Sequence, residues 1–144
     1  MSEYIPSPRD WVRDQVELYE STGGMQGTTL RDTGLPVIIV TNTGNKTGFI
    51  RKTPLMRAVD GPNYILVASQ GGAPEHPVWY FNLKANTSVK IQDGPNTYEM
   101  KVKEITNSTE KARLWDIAVK AYPPYKEYQD RTDRVIPVFL AEPV

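Results

Sequence analysis

Four cationic side chains are clustered in a chain whose 17 basic and 17 acidic residues give a formal net charge of +0. They are Lys46, Arg51, Lys52 and Arg57. Lys46 falls in a polar turn and Arg51 in the strand predicted to follow it, so that both can converge on an anion. The planar fork of arginine suits phosphate or carboxylate. A solvated strand edge protected by charge is the alternative interpretation.

The predicted strand has two faces, because alternate residues point to the same side. We expect one face to carry Arg51, Thr53, Leu55 and Arg57, and the other Lys52, Pro54 and Met56. The preceding turn, Gly44-Asn45-Lys46-Thr47, resembles a phosphate-binding P-loop only superficially. Its lysine does not directly follow a glycine, and a strand follows where a P-loop requires a helix. The sequence therefore argues against a P-loop.

A second candidate site is the stretch 69–82, where a strand end leads into a glycine-containing loop and then a helix beginning at Pro77. Adjacent glycines allow close backbone approach, and a helix N-terminus offers free N–H groups to an anion. Trp79 can cover a planar ring, with Asn82 one turn further on. An ordinary connection with Trp79 in the core is the alternative. We interpret His76, the only histidine, as a cap or surface residue, since no catalytic partner is identifiable.

Three tyrosines, Tyr122, Tyr125 and Tyr128, recur every third residue just beyond a predicted helix. They can wall an apolar pocket, and a phenol can donate a hydrogen bond or a proton. They can equally well anchor the helix to a sheet. The residues alone thus indicate an anion site and an aromatic pocket, without defining a reaction.

Helices must position some of these groups. The first is predicted over residues 8–20, capped by Ser7 with Pro8 in its first position. Its apolar stripe is Val12, Val16 and Tyr19. Its mixed charges favour packing on the sheet over contact with a membrane. Two more helices are predicted, from Pro77 to about Ala85 and from about Thr109 to Ala121. In the last, Ala112, Trp115 and Val119 share a face, and Pro123-Pro124 terminates the helix.

Strand signals dominate the rest of the chain. The predicted strands are Leu35–Val40, 49–59, Tyr64–Ser69, Val89–Gln92, Tyr98–Glu104 and Val135–Ala141. Many strands joined by short turns, with few helices, favour a barrel-like sheet with peripheral helices over a doubly wound α/β fold. We expect one domain over residues 1–144, with a helix and a partly disordered loop in 1–34 and the barrel in 35–144.

Composition excludes several classes of function. The chain has no cysteine, which excludes disulfides, thiolate zinc sites, iron–sulfur clusters and thiol catalysis. A single histidine argues against a metal site, and the balanced charge argues against a general nucleic-acid binder. No apolar run approaches the roughly 20 residues of a membrane span, and the first residues lack a signal-peptide core. We therefore expect a cytoplasmic protein.

The three candidate segments occur together, in this order, in one protein family. Its motifs here are Thr43-Gly44-Asn45-Lys46-Thr47-Gly48, Arg51-Lys52-Thr53-Pro54-Leu55, Ala68-Ser69-Gln70-Gly71-Gly72-Ala73-Pro74, His76–Asn86, Tyr122–Gln129, Arg131-Thr132-Asp133-Arg134 and Ile136-Pro137-Val138. The chain resembles, from about residue 36 onward, the deazaflavin-dependent nitroreductases of actinobacteria, which use coenzyme F420. The block Gly71-Gly72-Ala73 with Trp79-Tyr80 and Asn82–Asn86 carries most of the specificity.

The resemblance implies a mainly β (α+β) split barrel like that of FMN-binding proteins, and a deazaflavin with a ribityl phosphate and glutamate tail. It implies cofactor-binding roles for Lys46, Arg51, Thr53, Pro54, Leu55, Ala68, Ser69, Val78, Trp79 and Asn82. It implies a substrate pocket shaped by Tyr122, Tyr125, Tyr128 and Met56. Ser69 and Tyr125 are then the candidates for activating the substrate. No metal is implied.

The chain departs from the family pattern at Asn45 and Gln70, where the family often has a cation, and at Met56, where some members carry a pocket tyrosine. Lys52 or Arg57 could compensate for the lost charge. The leading hypothesis is hydride transfer from the reduced deazaflavin to a quinone, or to a nitroaromatic or enone acceptor. An FMN-dependent reductase of the same fold is one alternative. A non-catalytic ligand-binding protein is another, and peripheral contact with a membrane would suit a quinone substrate.

Overall fold

The computed structural model describes residues 3–30 and 33–144. The helices of these residues are α1 (Asp10–Ser21), α2 (Val78–Ala85), α3 (Ser108–Ala121) and α4 (Pro124–Asp130). Their strands are β1 (Val37–Thr43), β2 (Ile50–Met56), β3 (Val59–Asp60), β4 (Asn63–Val67), β5 (Ser88–Asp93), β6 (Asn96–Glu104) and β7 (Val138–Pro143). The loop disorder expected within 1–34 includes positions 1, 2, 31 and 32, which lie outside the described residues.

The described strands form one antiparallel sheet in the order β2-β1-β5-β6-β7-β4-β3. β2 and β3 occupy its two edges, yet only Arg57 and Ala58 separate them in the chain. At Arg57 the backbone N–H still bonds Pro36 beside β1, and at Ala58 the carbonyl already accepts from Ile65 of β4. The two edges therefore meet, and the sheet curls into a barrel.

Because every strand pair is antiparallel, alternate strand ends lie at the same end of the barrel. The C-termini of β1, β4 and β6 lie there together with the N-termini of β2, β5 and β7. Helix α2 connects two of these strand ends, and we call this the α2 end of the barrel. The turn 44–49 and the loop 68–77 lie at the same end. The topology thus gathers segments that are far apart in sequence.

Two apolar clusters pack on the two faces of the sheet. The concave cluster contains Ile38, Val40, Tyr64, Leu66, Leu83, Val89, Ile91, Met100, Val102, Phe139 and Ala141. The helix-side cluster combines the other faces of β1, β4 and β7 with α1, α3 and α4. Helix α1 joins it through Val12, Val16 and Tyr19, so the predicted apolar stripe is confirmed and packs on the sheet.

Several predicted boundaries are wrong. Helix α1 begins at Asp10, because the Ser7 hydroxyl accepts from the N–H of Arg9 and holds the preceding residues outside the helix. Strand β1 continues to Thr43, because its polar last residues still pair with β2. The last strand begins at Val138, not Val135; Ile136 donates instead to the Gln129 side chain.

The C-terminal helices also differ from the prediction. On α3 the buried residues are Leu114 and Ala118, and Ala112 is exposed, so the buried face is rotated from the predicted one. Pro123-Pro124 does not simply end a helix: Pro124 is at the start of α4, a position where proline's missing N–H costs nothing. The segment that carries Tyr125 and Tyr128 is therefore helical, contrary to the prediction that the chain leaves the helix at Pro123-Pro124.

Candidate active site

The four clustered cations separate into two kinds in the folded chain. Lys52 pairs with Glu20 of α1 at 2.6 Å, and Arg57 pairs with Asp93 at 2.9 Å. Lys46 and Arg51 form no ion pair with any residue that the structure describes. Lys52 and Arg57 are thus each paired with a carboxylate, whereas among the described residues Lys46 and Arg51 are not.

The register of β1 and β2 confirms the two predicted faces for residues 51–56, whereas Arg57, predicted on the Arg51 face, lies beyond the end of β2. Arg51 lies opposite Asn42, Thr53 opposite Val40, and Leu55 opposite Ile38. Directly opposed residues share a face, and Ile38 and Val40 belong to the concave cluster. Pro54 and Met56 lie opposite Ile39 and Val37, which belong to the helix-side cluster. Arg51, Thr53 and Leu55 therefore face the barrel interior, whereas Pro54 and Met56 face the helices.

Asn82 of α2 ties the cationic turn to the barrel. Its Oδ1 accepts a hydrogen bond from the backbone N–H of Asn45 at 2.8 Å, and its Nδ2 donates to Oδ1 of Asn42 at 3.2 Å. Asn82 and Asn42 are both buried. The Nδ2 of Asn42 is also buried and has no hydrogen-bond partner among the described residues. The turn carrying Lys46 and the helix carrying Trp79 are thus joined by one side chain.

Helix α2 presents an apolar surface at the same end of the barrel. Trp79 is half-buried, packs on the concave cluster and lies 6.0 Å from the ring of Phe139. Val78 at the start of the helix is 76% exposed. The core interpretation of Trp79 is therefore correct in part, because one side of the indole packs on the barrel.

The loop after β4 is held by Arg134, for which the sequence predicts no such role. Its guanidinium donates to the backbone carbonyls of Ala68 at 3.1 Å, Ser69 at 2.6 Å and Ala73 at 2.9 Å. It also contacts Nδ1 of His76 at 2.9 Å. The Arg131–Arg134 motif had singled the residue out, but only the fold shows that its partners are carbonyls, which no side-chain pattern reveals.

His76 is neutral in this arrangement. A guanidinium has donors only, so Nδ1 of His76 must accept, and its proton is then on Nε2. Burial lowers the pKa of His76, and the neighbouring charge of Arg134 lowers it further. The imidazole also packs on the ring of Tyr80 at 4.3 Å. His76 therefore has a partner that the sequence analysis did not identify, in an interaction that holds the loop in place.

The same loop packs against α4. Gln70, Gly71 and Gly72 have positive φ angles of 46°, 64° and 80°, a conformation that glycine adopts without strain. A Cβ at Gly72 would lie 2.6 Å from the carbonyl oxygen of Tyr128, so only glycine fits at this contact. The loop 68–77 and helix α4 are thus in direct backbone contact.

The three tyrosines cluster on the helix-side face, where Tyr122 and Tyr125 are buried in the helix-side cluster and Tyr128 packs against it, as the anchoring alternative requires. The rings of Tyr122 and Tyr125 are 4.9 Å apart, and the hydroxyls of Tyr122 and Tyr128 are 2.8 Å apart. The hydroxyl of Tyr125 makes no hydrogen bond to a described residue, although the side chain is buried. Burial raises the pKa of Tyr125, and burial with the Tyr128 hydrogen bond raises the pKa of Tyr122 to about 12. Both phenols therefore stay protonated at neutral pH.

The structure brings most of the predicted site residues to the α2 end. Lys46, Arg51, Ser69, Val78, Trp79 and Asn82 lie there, and α4 reaches the same loop. Met56 lies at the other end of β2, within the apolar cluster that contains Tyr122 and Tyr125. A cavity of about 480 Å³ also lies away from this site, at the opposite barrel end, where Tyr64 and Arg57 both bond Asp93.

A single curled antiparallel sheet of this topology, with helices packed on one face, defines a split-barrel fold. A putative pyridoxamine 5′-phosphate oxidase from Listeria innocua shares this fold, with a TM-score of 0.52 at 12% identity over 74% of this chain and 82% of its own. The structure of an F420-H2-dependent reductase, FDR-A, is more similar. Its TM-score is 0.70 at 48% identity, over 74% of this chain and 94% of its own.

Sequence comparison defines the family. The sequence model of the F420H(2)-dependent quinone reductases matches residues 11–143, and the chain belongs to this family. The F420H(2)-dependent quinone reductase Rv1261c of Mycobacterium tuberculosis is 40% identical over 125 residues, which are 85% of this chain and 83% of that protein. The chain is therefore an oxidoreductase of a family that depends on coenzyme F420, as the sequence motifs indicated.

The residues at the α2 end fit such a cofactor. A phosphate and a glutamate tail need cations, and Lys46 and Arg51 are unpaired there among the described residues. A flat ring needs apolar and aromatic surface, and Val78 and Trp79 provide it. The unsatisfied Nδ2 of Asn42 is a buried donor beside the same turn. The chemistry of the site and the chemistry of the cofactor thus correspond.

Proposed function

We propose that the α2 end binds reduced coenzyme F420 and presents it to a quinone. Lys46 and Arg51 bind the anionic tail, and Thr53 and Leu55 border the ring from the barrel wall. This rests on one observation above the others: two cations without an ion-pair partner among the described residues, Lys46 in the turn and Arg51 in the strand that follows it, lie where Asn82 fastens that turn to the aromatic helix. When bound, the reduced deazaflavin supplies a hydride; this chain supplies orientation and charge.

The remaining cofactor contacts come from both sides of the loop. We assign Ala68 and Ser69 at the end of β4 to one edge of the ring, and Val78 and Trp79 of α2 to its cover. Pro54 acts through the backbone of β2, because its ring faces the helices. Exclusion of water by these apolar groups strengthens the electrostatic interactions of the bound anion.

Tyr125 and Ser69 are the groups that we assign to the substrate. The Tyr125 hydroxyl has no described protein partner and stays protonated, so it can donate to a substrate oxygen that gains negative charge. The Ser69 hydroxyl likewise has no hydrogen bond among the described residues. Arg134 donates to the Ser69 backbone carbonyl and leaves the hydroxyl without a partner there. Tyr122, Tyr128 and Met56 shape the pocket around Tyr125.

Quinones are the acceptor class that we propose first, and nitroaromatics and enones are accessory acceptors. None of the described helices has the length and apolarity to cross a bilayer. We place the enzyme in the cytoplasm as a single domain, in peripheral contact with a membrane when its quinone is lipid-bound. Such contact needs no helix that spans the membrane.

Binding and turnover test this function separately. Fluorescence titration of the purified chain with oxidised F420, beside FMN, should give saturable micromolar or tighter binding to F420 alone. Reduced F420 should then be oxidised on addition of a water-soluble quinone. Preferential FMN binding would replace the cofactor assignment, and F420 binding without turnover of quinones, enones or nitroaromatics would indicate a ligand-binding protein.

A further inference from the structure

Arg134 lies where the loop 68–77, which connects β4 to α2, approaches helix α4. Its guanidinium donates hydrogen bonds to the backbone carbonyls of Ala68, Ser69 and Ala73. Through His76 it reaches the segment immediately before α2. One side chain thus fixes both ends of the loop between β4 and α2.

Arg134 is in turn fastened to α4. Its backbone carbonyl accepts a hydrogen bond from Nε2 of Gln129 at 2.8 Å, and Oε1 of Gln129 accepts from the N–H of Ile136 at 3.0 Å. Gln129 therefore clamps the chain on both sides of Arg134. It follows Tyr128 directly, so the clamp lies on the same short helix as Tyr125 and Tyr128.

We propose that Arg134 is a positioning residue that sets the distance between the bound cofactor and the substrate-activating hydroxyl of Tyr125. This inference rests on the proposed function, and it concerns a residue that the cofactor and substrate assignments do not include. Its basis is connectivity: the cofactor-side residues Ala68 and Ser69 and the helix bearing Tyr125 are linked through Arg134 and Gln129. Hydride transfer is sensitive to this distance, since a 1 Å misplacement can cost about 10²-fold in rate.

The test uses Arg134→Lys, which keeps the charge but cannot bond three carbonyls and an imidazole at once. Arg113→Lys is the matched control, because Arg113 also makes several charged hydrogen bonds, to Asp60 and Glu110, outside the site. We expect Arg134→Lys to weaken F420 binding about threefold to tenfold and to lower kcat at least about tenfold. Arg113→Lys should leave both within about twofold.

A second readout needs neither cofactor nor turnover. His76 is the only histidine, so its ring ¹⁵N signals in the free protein are unambiguous. In the wild type we expect Nδ1 unprotonated and hydrogen-bonded, and slow amide exchange across residues 69–77. The groups facing the imidazole are Arg134, Tyr80 of α2 and Glu104 of β6. Arg134→Lys should remove the Nδ1 signature and speed loop exchange about tenfold or more.

A third variant, Gln129→Ala, releases Arg134 from α4 without touching its guanidinium. We expect the F420 dissociation constant to stay within about twofold while kcat/KM for the quinone falls about tenfold. If Arg134→Lys does not fold, this variant decides the question alone.

The outcomes separate the two proposals. If the wild type fails to bind F420, the proposed function is wrong and this inference goes with it. If the wild type binds and turns over normally, but Arg134→Lys and Gln129→Ala match the Arg113→Lys control, Arg134 has no positioning role and the proposed function stands. Faster loop exchange with unchanged kcat would also overturn the inference, because the bonds would then be merely structural.

Discussion

The side chain of Asn82 and the backbone N–H of Asn45 form a 2.8 Å hydrogen bond between elements 37 residues apart. Asn82 is buried, and it uses its amide nitrogen for a second bond, to Asn42 of β1. The turn that carries Lys46 is otherwise exposed. The position of this cation relative to Trp79 therefore depends on one amide group.

Replacing Asn82 by alanine should release the turn. We expect Asn82→Ala to weaken F420 binding about threefold to thirtyfold and to lower the free energy of unfolding by ~1–2 kcal/mol, because it removes one buried and one partly buried hydrogen bond. Fluorescence titration and chemical denaturation measure the two effects. Asn86→Ala is the control, since Asn86 is exposed at the end of the same helix and accepts only from Ser88. Equal F420 affinity in the two variants would show that the Asn82 hydrogen bonds do not matter for binding.

Arg51 and Lys52 are adjacent cations on opposite faces of one strand. Arg51 has no ion-pair partner among the described residues, whereas Lys52 is bound to Glu20. We expect Arg51→Ala to weaken F420 binding by about 1.5–3 kcal/mol, as the loss of a charged hydrogen bond would. The effect should shrink as salt is raised. Lys52→Ala should leave affinity unchanged in the same titrations; identical losses in the two variants would remove Arg51 from the site.

Tyr125 and Tyr122 differ in what their hydroxyls contact. The Tyr122 hydroxyl bonds that of Tyr128, while the Tyr125 hydroxyl has no partner among the described residues. Tyr125→Phe should therefore keep the stability of the wild type but lower kcat about 10²-fold, the usual cost of removing a donor to a developing negative charge. Tyr122→Phe should lower the free energy of unfolding by ~1 kcal/mol and should lower kcat less than Tyr125→Phe does. Quinone turnover together with thermal unfolding distinguishes them, and a Tyr125→Phe enzyme with full kcat would rule out the assigned role.

His76 predicts a pH dependence with a definite sign. Its pKa in the folded chain lies below the ordinary 6.5, chiefly through burial and then through Arg134. Between the two values the unfolded chain binds more protons, so the free energy of unfolding falls as the pH drops through 6.5. His76→Asn lacks this titration. Denaturation curves from pH 8 to about pH 5 should thus show the wild type losing stability relative to the variant, and parallel curves would contradict the prediction.

Much of the fold was visible in the sequence because local patterns and packing agree. The stripe Val12, Val16 and Tyr19 packs as its spacing indicates, and the alternation of Arg51, Thr53 and Leu55 gives the observed face of β2. Boundaries were wrong where a side chain or a change of strand partner decides them. Ser7 at the start of α1 and Gln129 beside the last strand are such cases.

The site was only partly predictable for a related reason. Charge and residue type marked Lys46, Arg51, Trp79 and the tyrosines. Whether a cation is paired depends on its neighbours in the fold, and only the fold shows that Lys52 pairs with Glu20 and Arg57 with Asp93. Arg134 was invisible as a functional residue because its partners are main-chain carbonyls, which every residue possesses.

Tyr19 predicts an effect on stability that leaves the site untouched. Its buried hydroxyl accepts from the N–H of Gly94 at 2.7 Å and lies within 3.3 Å of the carbonyl oxygen of Gln92, so it joins α1 to the turn between β5 and β6. Tyr19→Phe leaves that N–H without its partner and should lower the free energy of unfolding by ~1–3 kcal/mol.

Tyr98→Phe is the matched control for that change, because Tyr98 is exposed and its hydroxyl makes no hydrogen bond to a described residue. Urea denaturation of both variants should show a lower midpoint for Tyr19→Phe alone. Since this turn is at the barrel end opposite α2, F420 affinity should match that of the wild type in both. A Tyr19→Phe chain that is as stable as the control would mean that water satisfies the Gly94 N–H in place of the phenol.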